Sequence, residues 1–531
     1  MNSIVTFFHT NANRFSWFSE IYYCVIMRQK YLLKVMEEQI MQETILNNTV
    51  IVLKWIMDNI FYINLVLSVV IVFFQRRDPK TVWTWLLVLY FIPILGFFLY
   101  LLIGQDMHKN KMFKAKELED ELNSQIRKQE ETIFRKEFKI SDELLQEYED
   151  LVFYNLESNS AVYTEDNNVT IYTDGNEKFD ALIEAIDEAK HFIHIQYYII
   201  RDDILFDRIL KHLAKKIEEG IEVRILFDGM GGRSVNSRKW REVRKLGIQV
   251  GEFFPPLLRR LHLRINYRNH RKIVVVDGNV GFLGGFNIGK EYIGLSKKFG
   301  YWRDTHLKIE GTAVQGLQVR FILDWNYATK ENLFTRSEFL NYQYEKAPGT
   351  TGIQIVSSGP DSKSQEIRDN YLRLINKAKK SIYIQTPYFV PDEAIMESLR
   401  IVAMSGIEVK VMIPCMPDHP FVYWATYSYI GDLLEAGVKC YTYDNGFLHT
   451  KGMVVDGLVS CYGTANFDMR SFCLNFEVNA VIYDSEKSKE FEDIFMADIG
   501  KSTEITRYDY SRRSLIIRIK EQVSRLLSPL L

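Results

Sequence analysis

The sequence HRKIVVVD at residues 270–277 recurs as HTKGMVVD at residues 449–456, with every matching position 179 residues apart. A similar glycine-containing tail follows each copy, GGFN at residues 284–287 and GTAN at residues 463–466. One such motif would be ordinary surface composition, but two copies with matched tails at a constant offset are not. The chain is therefore predicted to contain two related halves.

The segments around the two motifs also match each other. IHIQYY at residues 193–198 corresponds to IYIQTP at residues 382–387, and GIEVR at residues 220–224 corresponds to GIEVK at residues 406–410. In each half, an apolar strand pattern is followed by a helix and a second strand. We predict an α/β fold built from a duplicated domain, in which mixed sheets are flanked by helices and a pseudo-twofold axis relates the two halves.

Strand periodicity separates the residues within each motif. Side chains two residues apart lie on the same face of a strand, so the histidine and lysine of each copy point the same way. The aspartate lies an odd number of residues from the histidine and precedes Gly278 or Gly457, a pair typical of a tight turn, so we expect it to have a supporting role. The candidate catalytic set consists of the two motifs: His270, Lys272, Asp277, His449, Lys451 and Asp456.

An imidazole beside an ammonium group, present twice, suits the cleavage of a phosphodiester. One histidine would attack phosphorus while the other protonates the leaving oxygen, and the lysines would stabilise the charge that develops. We interpret His270 as the nucleophile and His449 as the general acid and then base, but the repeat barely distinguishes them. Two lysines would repel a metal ion, so no metal or cofactor is expected.

Overall charge and cysteine content limit the other classes of protein that fit this sequence. The 531 residues include 66 Lys and Arg against 68 Asp and Glu, a balance that argues against a nuclease or another nucleic-acid binder. The five cysteines lack CxxC spacing, which argues against a disulfide framework or a zinc site and favours a reducing compartment. Phosphate binding is therefore expected to be local to the motifs.

Two long uncharged stretches lie near the N-terminus, at residues 59–75 and 81–105. A helix needs about 20 apolar residues to cross a bilayer, so we predict a transmembrane hairpin; the flanking lysines favour a cytoplasmic position for the rest of the chain. The predicted order is an extension of unknown role at 1–58, two transmembrane helices at 59–105, a charged helical linker at 106–155, and the two halves at 156–345 and 346–531.

The two motifs resemble those of the phospholipase D superfamily, and the surrounding sequence resembles the bacterial cardiolipin synthase family. The resemblance extends over roughly residues 60–531 and includes RRDP at 76–79, YWRDTH at 301–306, SSGPD at 357–361, QTPYF at 385–389 and RLLSP at 525–529. The superfamily pattern usually has Ser or Thr after the first glycine of the tail. Thr464 keeps this pattern and Gly285 departs from it.

This resemblance implies transfer of a phosphatidyl group from one phosphatidylglycerol to another, with release of glycerol through a phosphohistidine intermediate. The implied partners are phosphatidylglycerol and the bilayer, with no nucleic acid and no metal, at the bacterial cytoplasmic membrane. Asn287, Asn466 and Thr464 are candidate phosphate-binding residues, and Asp304 and Glu477 are candidate partners that orient the histidines. A phospholipid hydrolase of the same superfamily is the alternative, and the oligomeric state stays open.

Two segments combine apolar and basic residues as a lipid-contacting surface would. Residues 253–260 precede the first motif and resemble an interfacial loop, and residues 512–527 resemble a membrane-surface helix. For the second segment, packing against the domain is the favoured interpretation.

Overall fold

The computed structural model describes residues 48–103 except 49, 53 and 75–78, then residues 129, 131–132 and 138–526 except 256–266, 341–346 and 363, and residue 528. The chain divides into two compact units, one ending at Gly104 and one beginning at Gln105. Most of the N-terminal extension, the first part of the charged linker and most of the predicted interfacial loop lie outside the described residues.

The N-terminal unit contains the helices α1 (Ile60–Phe74), α2 (Pro79–Phe91) and α3 (Pro93–Ile103). We expected one continuous helix over residues 81–105, and the structure corrects this to two helices broken at Pro93. A proline has no N–H for the carbonyl four residues earlier, here that of Leu89. The amide of Asn64 on α1 donates to this carbonyl and to that of Pro93, both at 3.0 Å.

No single helix among the described residues has both the length and the apolar character needed to span a bilayer. The helices Val50–Asp58 and Ile60–Phe73 meet that requirement only as a pair, and they are bent by 71° relative to each other.

The second unit contains all the described strands and the remaining helices. Its strands are β1 (Thr164–Tyr172), β2 (Phe192–Tyr197), β3 (Glu222–Asp228), β4 (Gln249–Phe253), β5 (Arg268–Asn269), β6 (Ile273–Val276), β7 (Val280–Gly284), β8 (Trp302–Arg303), β9 (His306–Glu310), β10 (Thr351–Ser358), β11 (Ser381–Gln385), β12 (Phe389–Val390), β13 (Glu408–Pro414), β14 (Lys439–Tyr443), β15 (Phe447–Leu448), β16 (Gly452–Val455), β17 (Val459–Gly463), β18 (Phe467–Asp468), β19 (Asn475–Tyr483) and β20 (Ser502–Ile505).

Its α-helices are α4 (Glu149–Asn159), α5 (Gly175–Glu188), α6 (Ile204–Glu218), α7 (Ser237–Lys245), α8 (Val314–Thr329), α9 (Glu366–Lys377), α10 (Glu393–Met404), α11 (Pro420–Glu435), α12 (Met469–Cys473), α13 (Ser485–Ile499), α14 (Arg507–Ser511) and α15 (Leu515–Leu526). Short 3₁₀ turns occupy Glu143–Tyr148, Gly231–Ser234, Lys290–Ile293, Leu333–Thr335 and Ser337–Phe339.

The sheet has the duplicated, mixed topology that the repeat predicts. Its strands follow the order β20-β14-β13-β11-β16-β17-β19-β10-β1-β9-β7-β6-β2-β3-β4. The equivalent strands β1 and β10 pair antiparallel at the centre, and the strand order on either side of them is mirrored. Buried apolar side chains fill the spaces between the sheet and the helices. The two motifs therefore occupy equivalent positions on either side of a pseudo-twofold axis.

Candidate active site

The first histidine of the repeat is held by a strand of the other half. Strand β5 pairs in parallel with the beginning of β19, where Asn269 lies opposite Phe476. His270 follows β5, and its backbone N–H donates to the carbonyl of Phe476 at 2.9 Å. Its imidazole Nδ1 lies 2.9 Å from a carboxylate oxygen of Glu477 on β19. The partner of His270 is thus 207 residues away in the chain.

The second histidine is held in the same way by the first half. Strand β15 pairs in parallel with β8, where Leu448 lies opposite Arg303. The N–H of His449 donates to the Arg303 carbonyl at 2.7 Å, and its Nδ1 lies 2.6 Å from Asp304 Oδ2. Each histidine therefore takes its carboxylate from the opposite half, which leaves Nε2 as the ring nitrogen that can meet a substrate.

The two motif lysines lie beside the histidines and bind local backbone. Lys272 Nζ donates to the His270 carbonyl at 2.6 Å, and Lys451 Nζ donates to the carbonyl of His449. Lys451 Nζ also lies 2.8 Å from Nδ1 of His449. Both lysine side chains are buried, so their charges act on the site through little intervening water.

Burial has the largest effect on the pKa values of the two histidines. It lowers the pKa of His270 to about 4; Glu477 opposes that shift, while Lys272 and Lys451 add to it. Burial together with Lys451 lowers the pKa of His449 to about 4, and Asp304 opposes this. Each histidine is influenced by the lysine of the other motif, as expected if the two motifs share one site.

The lysines and carboxylates show the same balance between burial and charge. Burial lowers the pKa of Lys451 to about 8 and places that of Lys272 well below its usual range. Burial alone would raise the pKa of Asp304, but Lys451 and His449 outweigh it and keep that pKa low. His270 does the same for Glu477. The resting site therefore pairs ionised carboxylates with neutral imidazoles at neutral pH.

The motif aspartates brace turns and do not face the histidines. Asp277 and Asp456 both have positive φ, 52° and 56°, in the Asp-Gly turns that the sequence predicts. The carboxylate of Asp277 accepts hydrogen bonds from the backbone N–H groups of residues 190–192, at 2.7–2.8 Å. That of Asp456 does the same for residues 379–381. These contacts tie each motif to the start of its neighbouring strand.

The candidate phosphate-binding side chains already have protein partners. Asn287 accepts from the Ile199 N–H at 3.0 Å and donates to the Tyr292 hydroxyl at 3.1 Å. Asn466 donates to Asp468 at 3.2 Å, whereas its buried carbonyl oxygen has no partner within the described residues. The side-chain amide of Asn287 would therefore bind phosphate while it also holds the surrounding loops in place.

The departure of the first half from the superfamily pattern has a steric reason. Thr464 donates its hydroxyl to Glu477 at 2.6 Å, so it orients the carboxylate that holds His270. At the equivalent position, a Cβ on Gly285 would lie 1.9 Å from Asp304 Oδ1. The shorter Asp304 occupies the space that the threonine side chain fills in the other half. Glycine in one half and threonine in the other thus match the lengths of the two acids.

Two buried arginines beneath the histidines were not assigned a role from sequence. Arg271 lies between the motif residues, and one of its guanidinium nitrogens donates to both carboxylate oxygens of Asp324 on α8, at 2.6 and 2.8 Å. Arg303 precedes Asp304 and lies 2.7 Å from Asp498 on α13. The sequence signal for both was an arginine directly beside a candidate site residue.

Comparison with known proteins gives consistent matches over this unit and the preceding helices. The family described as "Cardiolipin synthase, PLD-like domain" matches residues 182–325 and 371–499. The family described as "Phospholipase D-nuclease N-terminal" matches residues 63–105.

Relatives of known function are similar over nearly their whole length. The cardiolipin synthase of Oceanobacillus iheyensis is 49% identical over 476 residues, which cover 89% of this chain and 98% of the relative. The major cardiolipin synthase of Bacillus subtilis is 48% identical over 474 residues, with the same two coverages. Among solved structures, phosphatidylserine synthase of Haemophilus influenzae shares the fold, with a TM-score of 0.53 and 15% identity over 68% of this chain and 95% of that one.

Proposed function

The chain belongs to the bacterial cardiolipin synthase family of phospholipase D-like proteins, and we propose that it transfers a phosphatidyl group between two phosphatidylglycerol molecules to give cardiolipin and glycerol. The observation that carries this proposal is the pairing of each motif histidine with a carboxylate of the opposite half. Such a pairing builds one site from two motifs, as a two-step exchange at phosphorus requires.

In the first step, Nε2 of His270 attacks the phosphorus of phosphatidylglycerol. The N–P bond forms as the P–O bond to glycerol breaks, and His449 gives its proton to the departing oxygen. Glu477 accepts a hydrogen bond from Nδ1–H of His270, which fixes the proton on Nδ1 and keeps the lone pair of Nε2 free to attack. Lys272 and Lys451 stabilise the negative charge on the non-bridging oxygens.

In the second step, the terminal hydroxyl of another phosphatidylglycerol attacks the phosphohistidine. His449 now takes the hydroxyl proton, and the N–P bond breaks to restore His270. The neutral resting state of His270 suits its role as a nucleophile. A bound phosphodiester is negatively charged and offsets the positive charge of the two lysines. Its binding therefore raises the pKa of His449 towards the range that a general acid needs.

We propose that the N-terminal unit anchors the enzyme in the bacterial membrane as a multi-pass hairpin, with the catalytic unit on the cytoplasmic side. Large apolar side chains cover the outside of its helices, among them Phe61, Phe73, Tyr90 and Phe91, each more than 60% exposed. Such a surface is typical of contact with lipid. A match of residues 63–105 to a known N-terminal family segment supports a shared role for these helices.

Purified full-length protein in phosphatidylglycerol vesicles tests the proposed reaction directly. We expect headgroup-labelled lipid to yield cardiolipin and free glycerol in equal amounts. Phosphatidic acid as the sole lipid product would instead assign the chain to the hydrolases, because water would then be the acceptor. Added glycerol should slow net synthesis, because it reverses the first step.

A further inference from the structure

The C-terminal helix α15 buries two polar residues against the domain and exposes most of its apolar residues. On the inner side Glu521 and Ser524 are buried, and Glu521 accepts hydrogen bonds from Arg513 at 2.8 and 2.9 Å. An apolar row lies on the outer side, with its members between 48% and 79% exposed: Leu515, Ile516, Ile519, Val523 and Leu526. A helix that merely packs on a soluble domain has the opposite orientation. The helix does pack against the domain, as we favoured from sequence, but it leaves its apolar row exposed.

Basic side chains border this apolar row. Arg512 donates to the Tyr508 hydroxyl at 2.5 Å, Arg518 donates to a backbone carbonyl, and Lys520 lies 5.1 Å from the ring of Trp424. Within the described part of the chain, these cations form no ion pair with a carboxylate. An exposed apolar row edged by uncompensated positive charge is complementary to an anionic lipid surface.

We propose that α15 docks on an anionic membrane, with its apolar row at the boundary of the acyl chains and its basic residues among the headgroups. The proposal rests on the proposed function, which supplies an anionic lipid as substrate. An apolar protein partner, such as a second copy of this chain, would bury the row but leave the charges without partners.

The position of α15 connects this surface to the site. The helix packs against α11, through contacts such as that of Arg525 with Asp432 at 2.6 Å. Helix α11 begins just after Asp418, whose carboxylate acts on the pKa of Lys451. Docking through α15 would therefore hold the mouth of the site close to the lipid layer that contains phosphatidylglycerol.

Depth measurements on the full-length protein test this proposal without using activity. A polarity-sensitive label on Ile519→Cys should be quenched by brominated acyl chains in phosphatidylglycerol vesicles, and much less in phosphatidylcholine vesicles. A label on Gln249→Cys, exposed on β4 at the opposite edge of the sheet, is the matched control. Equal quenching at both positions, or crosslinking of residue 519 between two copies, would overturn membrane docking in favour of a solvated helix or a protein interface.

Activity provides the second measurement. Ile519→Asp should lower cardiolipin formation in vesicles about tenfold, the factor expected for losing one buried aliphatic side chain. In detergent micelles, where docking is not required, it should act like the wild type. Gln249→Asp, on the opposite edge of the sheet, should be unaffected in both media. Unchanged activity of Ile519→Asp in vesicles would refute the proposal. Absence of cardiolipin from the wild type in micelles would instead count against the proposed function alone.

A second, independent observation concerns the two buried arginines. Arg271 Nε donates to the backbone carbonyl of Glu477 at 3.1 Å, and Arg303 donates to that of Asp304. Both carbonyls belong to the residues whose carboxylates hold the histidines. Each arginine is anchored by an aspartate that also accepts from a glutamine on an equivalent strand: Gln196 to Asp324 at 2.6 Å, and Gln385 to Asp498 at 2.9 Å.

The two arginines make equivalent contacts from non-equivalent positions in the repeat. Arg271 follows a motif histidine, whereas Arg303 precedes one of the acids. Thr450 is the repeat equivalent of Arg271, and it lies 3.2 Å from Arg303. Phe476 precedes Glu477 as Arg303 precedes Asp304, and Arg271 lies 5.3 Å from its ring. We infer that Arg271 and Arg303 are positioning residues, each of which fixes the carboxylate that orients one histidine.

Moving the arginine of the second arrangement from position 303 to position 450 tests this inference. Arg303→Phe should lower kcat roughly a hundredfold with little change in KM, because it lets Asp304 shift relative to His449. Adding Thr450→Arg would restore the guanidinium from the other strand, and most of the lost kcat should return. Asp498→Asn, which preserves the volume, should also lower kcat. Full activity of Asp498→Asn, or no rescue by Thr450→Arg in a folded double variant, would refute the inference.

Discussion

Replacing either His270 or His449 with alanine is expected to abolish phosphatidyl transfer, reducing turnover by at least about a thousandfold. Each histidine has one irreplaceable task, since one forms the bond to phosphorus and the other moves the proton at the leaving and entering oxygens. The measurement is cardiolipin formation per folded enzyme in phosphatidylglycerol vesicles. Retained activity in either variant would refute a site shared by the two motifs.

The same pair of variants can identify the nucleophile. With lipid labelled at phosphorus and the reaction stopped by denaturant at mildly alkaline pH, where a phosphohistidine survives, His449→Ala should accumulate label on the protein, because His270 can still attack but the acceptor hydroxyl lacks the base that it needs. His270→Ala should carry no label. The reverse pattern would exchange the two assignments while leaving the two-step reaction intact.

Changing Glu477 to glutamine should lower kcat about a hundredfold or more without unfolding the protein. The amide keeps the size of the side chain, but it can donate a hydrogen bond to Nδ1 of His270. The ring proton would then move to Nε2, which removes the lone pair that attacks phosphorus. Loss of the carboxylate also lowers the pKa of His270 further, since Glu477 is the group that raises it.

The matched change at the other histidine is Asp304→Asn, and its effect should fall on proton transfer. Protein labelling in a single turnover should slow in both variants, because His449 protonates the oxygen that departs as the label forms. Asp304→Asn should in addition slow transfer of the label to the acceptor hydroxyl, for which His449 is the base. Thermal unfolding measured in parallel excludes a loss of fold. Normal transfer of the label in Asp304→Asn would contradict the pairing of Asp304 with His449.

Local sequence pattern was sufficient for the parts of the protein that depend on neighbouring residues. Strand alternation placed the histidine and lysine of each motif on one face and assigned the aspartates to turns, and Asp277 and Asp456 are found with the positive φ of such turns. The repeat predicted a duplicated α/β fold, and the central pairing of β1 with β10 follows its symmetry. Two copies of a histidine and a lysine indicated phosphodiester chemistry.

Local sequence patterns did not predict contacts between distant parts of the chain. The break of the second apolar stretch occurs at a visible proline, but the capping of Leu89 and Pro93 by Asn64 depends on the packing of a different helix. The outward apolar face of α15 was also hidden, because periodicity defines the two faces of a helix but not which of them packs on the domain.

The sequence by itself determined the duplication and the chemistry of the site, because these are properties of residue type and spacing, and it offered Asp304 and Glu477 as candidate acids. Only the tertiary structure decided that Glu477 serves His270 and Asp304 serves His449. In a twofold repeat, pairing within a half and pairing across halves give the same sequence pattern. The strand pairs β5–β19 and β8–β15 select the crossed arrangement, since they bring each histidine alongside the acid-bearing strand of the other half.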